Sequence, residues 1–312
     1  MKQRTVRLMI IGSGLCGLLA GVLCIAGLAG LATNSSGPAT NSSGPAITID
    51  FLDIGQGDAT LIQRGSTQLL IDGGPDRLVL TRLGRALRFG DRRLETVLAT
   101  HPHDDHTVGL EAVLERYQVD RLVIPDILPD HDGWTRLLAV AARRQVPVEK
   151  VLAGDRFIWA PNLQATVLWP PPNCVEIVQG KGGEHDEANS CSLVLLLEGQ
   201  AAGQPWRALL MGDGTTVTET ELLKRQAVGP VEILKVGHHG SRYSSSAAFL
   251  ETVRPAYAVV SVGEQNRFGH PDQGVLLRLA AFSGTVWRTD RDWGVRALFG
   301  NRGLEVTVGH GH

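Results

Sequence analysis

Charge of one sign is what this sequence most visibly lacks. Lys and Arg number 30 against 32 Asp and Glu, a formal net charge of −2 over 312 residues. No protein-wide positive field advertises nucleic acid, although a local basic groove stays open. Long apolar runs are scarce too. One uncharged stretch, Leu8 to Ala32, approaches the length of a membrane span, so these residues cannot build a multispanning channel. Cysteine is limited to four residues. Cys16 and Cys24 lie in the apolar run, and Cys24 follows Val22-Leu23 rather than the small residue a lipoprotein site wants, which argues against lipidation. Cys174 and Cys191 remain open between a disulfide and two buried thiols. No repeat occurs outside residues 34–46.

Lys2, Arg4 and Arg7 precede the apolar run, and a positive flank keeps an N-terminus cytoplasmic. Residues 1–33 therefore read as a signal anchor, or as a signal peptide cleaved near Ala32. The remainder is expected to be exported, held on the extracytoplasmic face through the N-terminal helix or secreted. Residues 34–46, "NSSGPATNSSGPA", have no apolar face and read as a flexible tether. A folded domain is expected over 47–312. The composition, 43% hydrophobic, suffices for a core.

Within it, residues 47–73 alternate like three short strands joined by glycine turns. Leu80, Leu83 and Leu87 mark a helix, and "RLETVLAT" a strand. "TVGLEAVLERY" repeats apolar residues at helical spacing. "DRLVIPD", "GWTRLLAVAARRQ" and "VPVEKVLAG" follow as strand, helix and strand. "VQGKGGEHDEANS" reads as a polar loop, and "CSLVLLLEG" with "WRALLMGDG" as an antiparallel pair. "TVTETELLKRQ" and "SSSAAFLETV" read as helices, with "VEILKVGHHG", "AYAVVSVG" and three terminal segments as strands. Many strands with helices inserted among them fit an α/β sandwich with helices outside two packed sheets.

Three of the ten histidines and two aspartates occupy six consecutive positions in "HPHDDH", directly after an apolar strand. His101 and His103, one residue apart, can face one point in an extended loop, while Asp105 and His106 open the next helix. A helix cap accounts for one aspartate, not for three histidines. Imidazole with carboxylate suits zinc, manganese or iron. "LLMGDG" and "KVGHHGS" likewise end apolar strands in Asp213 and in His238-His239.

These residues, in this order, resemble the metallo-β-lactamase superfamily, whose HxHxDH signature is matched by His101, His103, Asp105 and His106. The later motifs match Asp213 and His238 or His239. "FLDIGQGDATLI", "LLIDGG", "LKVGHHGSRYSS" and "VVSVGEQNRFGHP" further resemble the extracellular metallo-β-lactamase-like domain of the ComEC competence proteins, from about Ile47 to Leu279. The resemblance implies an αββα four-layer sandwich with a metal centre of one or two divalent ions, zinc or manganese, on one edge. His101, His103, Asp105, His106, Asp213 and His238 would be the ligands. His103 is present where many ComEC-type sequences lack it. Hydrolases of the wider superfamily place a third histidine where this chain has Ala188-Asn189-Ser190, leaving Asn189, His185 or His239 as further donors.

Asp58 and Asp72 carry two readings, turn chemistry or support of a ligating histidine from behind; Asp53 reads as a turn residue. Lys235, Ser241, Arg242, Asn266 and Arg267 cluster around the late motifs as candidate donors to a phosphodiester. His270 is the candidate proton donor to a leaving group. His131 reads as a helix-cap neighbour and His310 and His312 as a tail. The expected function is an exported metal-dependent hydrolase, a phosphodiesterase or nuclease acting on DNA or another phosphodiester through a metal-activated hydroxide, with no protein partner. The alternatives are hydrolysis of a β-lactam, ester or thioester, and a non-catalytic metal-containing module that binds DNA or a partner.

Overall fold

A computed structural model describes residues 45–127, 131–181 and 186–309 of the chain. The expected membrane helix, all but the end of the tether, and His185, His310 and His312 lie outside the described residues. Among those described, no helix is long and apolar enough to cross a membrane.

The first half of the domain runs β1 (Ile47–Phe51), β2 (Thr60–Arg64), β3 (Thr67–Ile71), α1 (Leu78–Ala86), β4 (Arg93–Leu94), β5 (Thr96–Leu98), α2 (Asp104–Arg116), β6 (Gln118–Val119), β7 (Leu122–Pro125), α3 (Asp132–Arg143) and β8 (Val148–Val151). The second runs β9 (Arg156–Ala160), β10 (Leu163–Trp169), α4 (Cys174–Gln179), α5 (Glu187–Ser190), β11 (Val194–Ala201), β12 (Gln204–Leu210), α6 (Thr216–Lys224), β13 (Ile233–Lys235), α7 (Ala247–Val253), β14 (Tyr257–Val260), α8 (Gln273–Phe282), β15 (Thr285–Arg288), α9 (Thr289–Asp292), β16 (Val295–Gly300) and β17 (Gly303–Val308).

Two large sheets result, ordered β17-β16-β1-β2-β3-β5-β7-β8 and β15-β14-β13-β12-β11-β10-β9. The period of two along each strand sets the layers. Leu69 and Ile71 of β3 face the second sheet, where they join Leu98, Leu195, Leu197 and Leu210 in a core between the sheets. Leu70 points the other way and packs with Val79, Leu83, Leu110 and Leu137 of α1 to α3. Leu209 and Leu234 back the second sheet and pack on Leu222, Phe249 and Leu279 of α6 to α8. Three apolar layers between four structural ones make the αββα sandwich. Each fully buried Leu or Val contributes roughly 1.5–3 kcal/mol, so these layers carry the fold.

Strands β3, β5, β7 and β8 pair in parallel, and so do β12, β13, β14 and β15. Parallel strands end on the same edge, which is where such sheets gather loops. "LIDGG", "HPHDDH", "MGDG" and "GHHG" all follow parallel strands and therefore share one edge. The sequence reading leaves out β6, β9, β10, α4, α8 and α9, and the end of its polar loop, "EANS", is the short helix α5. Helix α8 has a capping signal, since Asp272 accepts from the N–H groups of Gly274 and Val275. Helix α4 is six residues, too short to hold by itself. It is fastened to the residue after α5 by a Cys174–Cys191 disulfide, which resolves the open cysteine question.

Candidate metal centre

The "HPHDDH" turn is shaped by backbone approach. His103 is the N-cap of α2 in extended conformation and makes no side-chain cap hydrogen bond, while Asp105 faces His106 and His239. Asp104 instead pairs outward with Arg136. Gly57 of "GQGD" lies against this turn: a Cβ there would meet the Asp105 carbonyl oxygen at 2.2 Å. A Cβ on Gly109 would meet the Gly73 carbonyl at 1.8 Å, and only glycine lets α2 close on the "DGG" loop.

Each inner histidine is held by Nδ1. His101 Nδ1 lies 3.1 Å from the Thr100 hydroxyl, His106 Nδ1 is 2.8 Å from Asp72 Oδ2, and His239 Nδ1 donates to the Ser261 carbonyl at 3.0 Å. Asp72 also accepts from the N–H and hydroxyl of Thr100, each at 2.8 Å. The three Nε2 atoms are thereby turned to one place, the usual arrangement behind metal-ligating imidazoles. His106 Nε2 lies 3.4 Å from Asp213 Oδ1. His239 Nε2 lies 3.4 Å from Asp213 Oδ2 and 3.3 Å from Asp105 Oδ2, and His101 Nε2 lies 3.8 Å from Asp213 Oδ2. Asp213 thus faces both halves of the cluster.

The Nε2 atoms of His101, His106 and His239 and Oδ1 of Asp213 are buried and have no hydrogen-bond partner. Buried polar atoms are normally satisfied, and four that converge without a hydrogen bond among them fit ligands to bound cations. His101, His106 and Asp213 form one set whose donor atoms lie within 4.8 Å of one another, and Asp105, His106 and His239 form a second. Two imidazoles with one carboxylate, as in each set, suit a divalent transition ion.

Electrostatics agree with that chemistry. Burial pulls His106 and His239 toward neutrality, but Asp213 and the neighbouring carboxylates outweigh it and raise both well above the ordinary imidazole value. Burial and the His106 charge push His101 well below that value. Asp213 is buried, yet His239 and His106 hold it well below the carboxylate range. Asp58 is buried too, but Lys235 and His239 bring it down to about 2.

The structure redistributes several expected roles. His239, read from sequence as a secondary donor, sits inside the cluster. His238 stands at its edge, with Nε2 4.0 Å from Asp213 and 3.3 Å from the Asn189 amide. Both residues adopt left-handed backbone, φ 47° and 51°, and this tight turn sends adjacent side chains apart. Such backbone costs of order 1–3 kcal/mol per residue and recurs at functional sites. His103 reaches the rim, its Nε2 3.5 Å from Asp186. Asn189 is buried, and its Oδ1 has no partner.

Lys235 is not positioned to meet a substrate: it is 2% exposed and ion-paired with Asp58. Ser241 is also buried, its hydroxyl accepting from Tyr243 N. Asn266 spends its whole amide on its own loop, donating to Gly263 O and His270 O and accepting from Phe268 N and His270 N. Arg242 and Arg267 are exposed. His270 is half-buried, and burial together with His238 lowers it to about 4. That lowering weighs against the role of proton donor expected of it. Asp53 is a turn residue, paired with Arg82 at 3.0 Å, and His131 caps α3, accepting from Gly133 N.

A cleft of about 370 Å³ opens over the cluster, lined among others by Asp105, Asp213, His239, Asn189 and His270. Sequence reading missed Gln56, Asp186 and Phe268 in its wall, and Thr100 behind it. Thr100 is signalled only by standing next to His101; the other three lie outside any ligand-like spacing.

Residues 52–185 match the profile of the Metallo-beta-lactamase superfamily. The chain is 31% identical over 274 residues to ComE operon protein 3 of Bacillus subtilis, covering 81% of this chain and 33% of that protein. It is 27% identical to Recombination protein 2 of Haemophilus influenzae, covering 83% and 29%. It is 26% identical to Competence protein ComA of Neisseria gonorrhoeae, covering 81% and 32%. The chain thus spans about a third of the length of these relatives. Among solved structures, the metallo-beta-lactamase fold protein YhfI from Bacillus subtilis superposes with a TM-score of 0.52 at 13% identity, covering 78% of this chain and 96% of that one. CmlA, a diiron beta-hydroxylase from Streptomyces venezuelae, gives 0.50 at 15% identity, covering 79% and 53%. Identities this low speak for the fold alone.

Proposed function

The chain carries a metallo-β-lactamase domain like that of the competence proteins, and on that premise we propose that it is a metal-dependent hydrolase cleaving phosphodiester bonds, with DNA as the foremost substrate. The observation that carries this is the convergence of unpaired Nε2 atoms of His101, His106 and His239 on Asp213 under an open cleft. Asp105, His106, His239 and Asp213 would hold one ion. His101 and His103, with Asp213 and Asn189, would hold a second. When bound, zinc or manganese supplies Lewis acidity toward a phosphoryl oxygen and acidifies water.

The protein's own groups do the rest. Asp72 and the Ser261 carbonyl fix the tautomers of His106 and His239. Lys235 neutralises Asp58 behind them. The exposed Arg242 and Arg267 supply cations for phosphate oxygens. The relatives' names, competence and recombination, support DNA over other phosphodiesters. We extend the proposal to an exported, membrane-tethered or secreted chain. Its support is the Cys174–Cys191 disulfide, which suits an oxidising compartment; recovery of the native chain from the cytosol alone would contradict it.

The test uses the full chain loaded with Zn²⁺ or Mn²⁺, on single-stranded and duplex DNA, bis-para-nitrophenyl phosphate and a chromogenic β-lactam. The expected result is phosphodiester cleavage that needs metal and disappears in Asp105→Ala. Intact DNA, an active Asp105→Ala protein, or turnover of the β-lactam instead would overturn the assignment. Asn189 in place of a third histidine favours one further reading, a non-catalytic DNA-binding module. DNA binding without turnover, with one ion per chain, would establish it.

A further inference from the structure

Phe268 is a large apolar side chain left 54% exposed in a chain with few aromatics. It is the one apolar side chain among the described residues lining the cleft over the metal centre. Its exposure is not the accident of a loose loop. Asn266 accepts from the N–H groups of Phe268 and His270 at 3.2 and 3.0 Å and donates to the carbonyls of Gly263 and His270 at 3.0 and 2.7 Å. Gly263 N in turn donates to Gln56 Oε1 at 3.3 Å, tying this loop to another residue of the cleft wall. A turn with its polar groups satisfied thus presents an aromatic ring outward. The ring of His270 lies nearly parallel to that of Phe268, 20° between planes at 5.9 Å, and in turn approaches His238 at 5.7 Å. The Arg267 guanidinium stands 5.2 Å from the Phe268 centroid. An aromatic face, a cation beside it and an acidic, imidazole-rich floor match the parts of a nucleotide: a flat base, a phosphate and the bond to be cut.

We infer that Phe268, fixed by Asn266 and flanked by Arg267 and His270, is a stacking platform for an unpaired nucleobase, so that the cleft takes single-stranded nucleic acid with the scissile phosphate over the cluster. Bases inside a duplex have both faces covered by their neighbours and cannot use such a platform without unstacking. Every base has a π face, so the platform selects strand state rather than sequence. This inference rests on the phosphodiesterase reading above and adds the substrate's form to it.

The experiment compares two labelled DNA single strands of equal length, one with its bases and one built of abasic sugars, on the metal-loaded full chain. Stacking of one base is expected to favour the base-bearing strand by roughly ten- to hundredfold in kcat/KM. That ratio should collapse in Phe268→Ala and in Phe268→Leu, which keeps an apolar side chain without a π face, and persist in Phe268→Trp. An unchanged ratio in both non-aromatic variants, or no preference in the unmodified chain, overturns the platform. Fluorescence anisotropy of the same strands on the Asp105→Asn protein reads the ratio in binding. If neither strand is cut, the phosphodiesterase reading fails, and the binding ratio alone decides the platform.

Discussion

Two hollows among the described residues differ in size and in what lines them. One, of about 640 Å³, lies against strands β9 to β12 and is lined by Ile158, Gln164, Glu198, Trp206, Arg207 and Glu232 among others. The other, of about 370 Å³, lies over the strand ends that carry the histidines. In the larger, charged groups answer their neighbours: Gln164 donates to Glu198 at 3.0 Å, and Arg207 N to Glu232 at 2.6 Å. Among its described lining residues, the buried atom without a partner is a neutral one, the Trp206 indole nitrogen. Below the smaller lie imidazole and carboxylate atoms that are buried, ionisable and without a hydrogen-bond partner. The contrast teaches that volume says where something fits, whereas unsatisfied convergent charge says where something is held.

Asp213→Asn breaks this contrast most severely, because it weakens the carboxylate facing His101, His106 and His239 at once. Hydrolysis of bis-para-nitrophenyl phosphate is expected to fall on the order of a thousandfold, with metal content by elemental analysis falling alongside. Retained metal and activity would make the smaller hollow as inert as the larger. Lys235→Met attacks the cluster from behind by taking the lysine from buried Asp58 and leaving it only His239, whose Nδ1 lies 3.4 Å away. Removing one partner of a buried pair costs about 3–5 kcal/mol. Urea denaturation should show that loss, and adding Asp58→Asn should restore most of it. Asp72→Asn keeps the shape but spoils the acceptor that orients His106. A loss of roughly 10- to 100-fold in metal affinity is expected by chelator competition, whereas unchanged affinity would remove Asp72 from the site.

Proton linkage sharpens the comparison further. His106 and His239 are raised well above 6.5 in the metal-free protein. Their contribution to stability is therefore complete below that unfolded value and is lost as pH climbs through the folded one. The metal-free chain should lose stability above about pH 6.5, and metal uptake, which must displace those protons, should tighten over the same range. Calorimetry in buffers of differing ionisation enthalpy should report about two protons released; proton uptake would reverse the sign. The smallest effect belongs to the larger hollow, where Gln164→Ala should leave turnover within about twofold, as surface changes remote from a site do.

Much of this was legible in one dimension. "HPHDDH" and Asp213 advertise themselves because their residue types are costly to bury unless something holds them. The sandwich follows from strand periodicity. Other features needed the third dimension. Nothing in "GHHG" tells which of two adjacent histidines turns inward; two left-handed residues decide it in favour of His239. Lys235, Ser241 and Asn266 lie beside the motifs in sequence, but nearness along a chain is not exposure to a cleft. Lys235 faces the interior, and Asn266 faces its own loop. Phe268 lies inside the "NRFGHP" segment that carries the resemblance, but no role for it is legible there, since an aromatic in a loop becomes informative only once its exposure is known.

The most direct measurement is anomalous diffraction from crystals of the full chain grown with Mn²⁺. A metal centre at this corner predicts a peak about 2.0–2.2 Å from Nε2 of His106 and His239 and from the Asp213 carboxylate. A protein that diffracts well and hydrolyses its substrate with no peak there, or with its metal bound elsewhere, would contradict it.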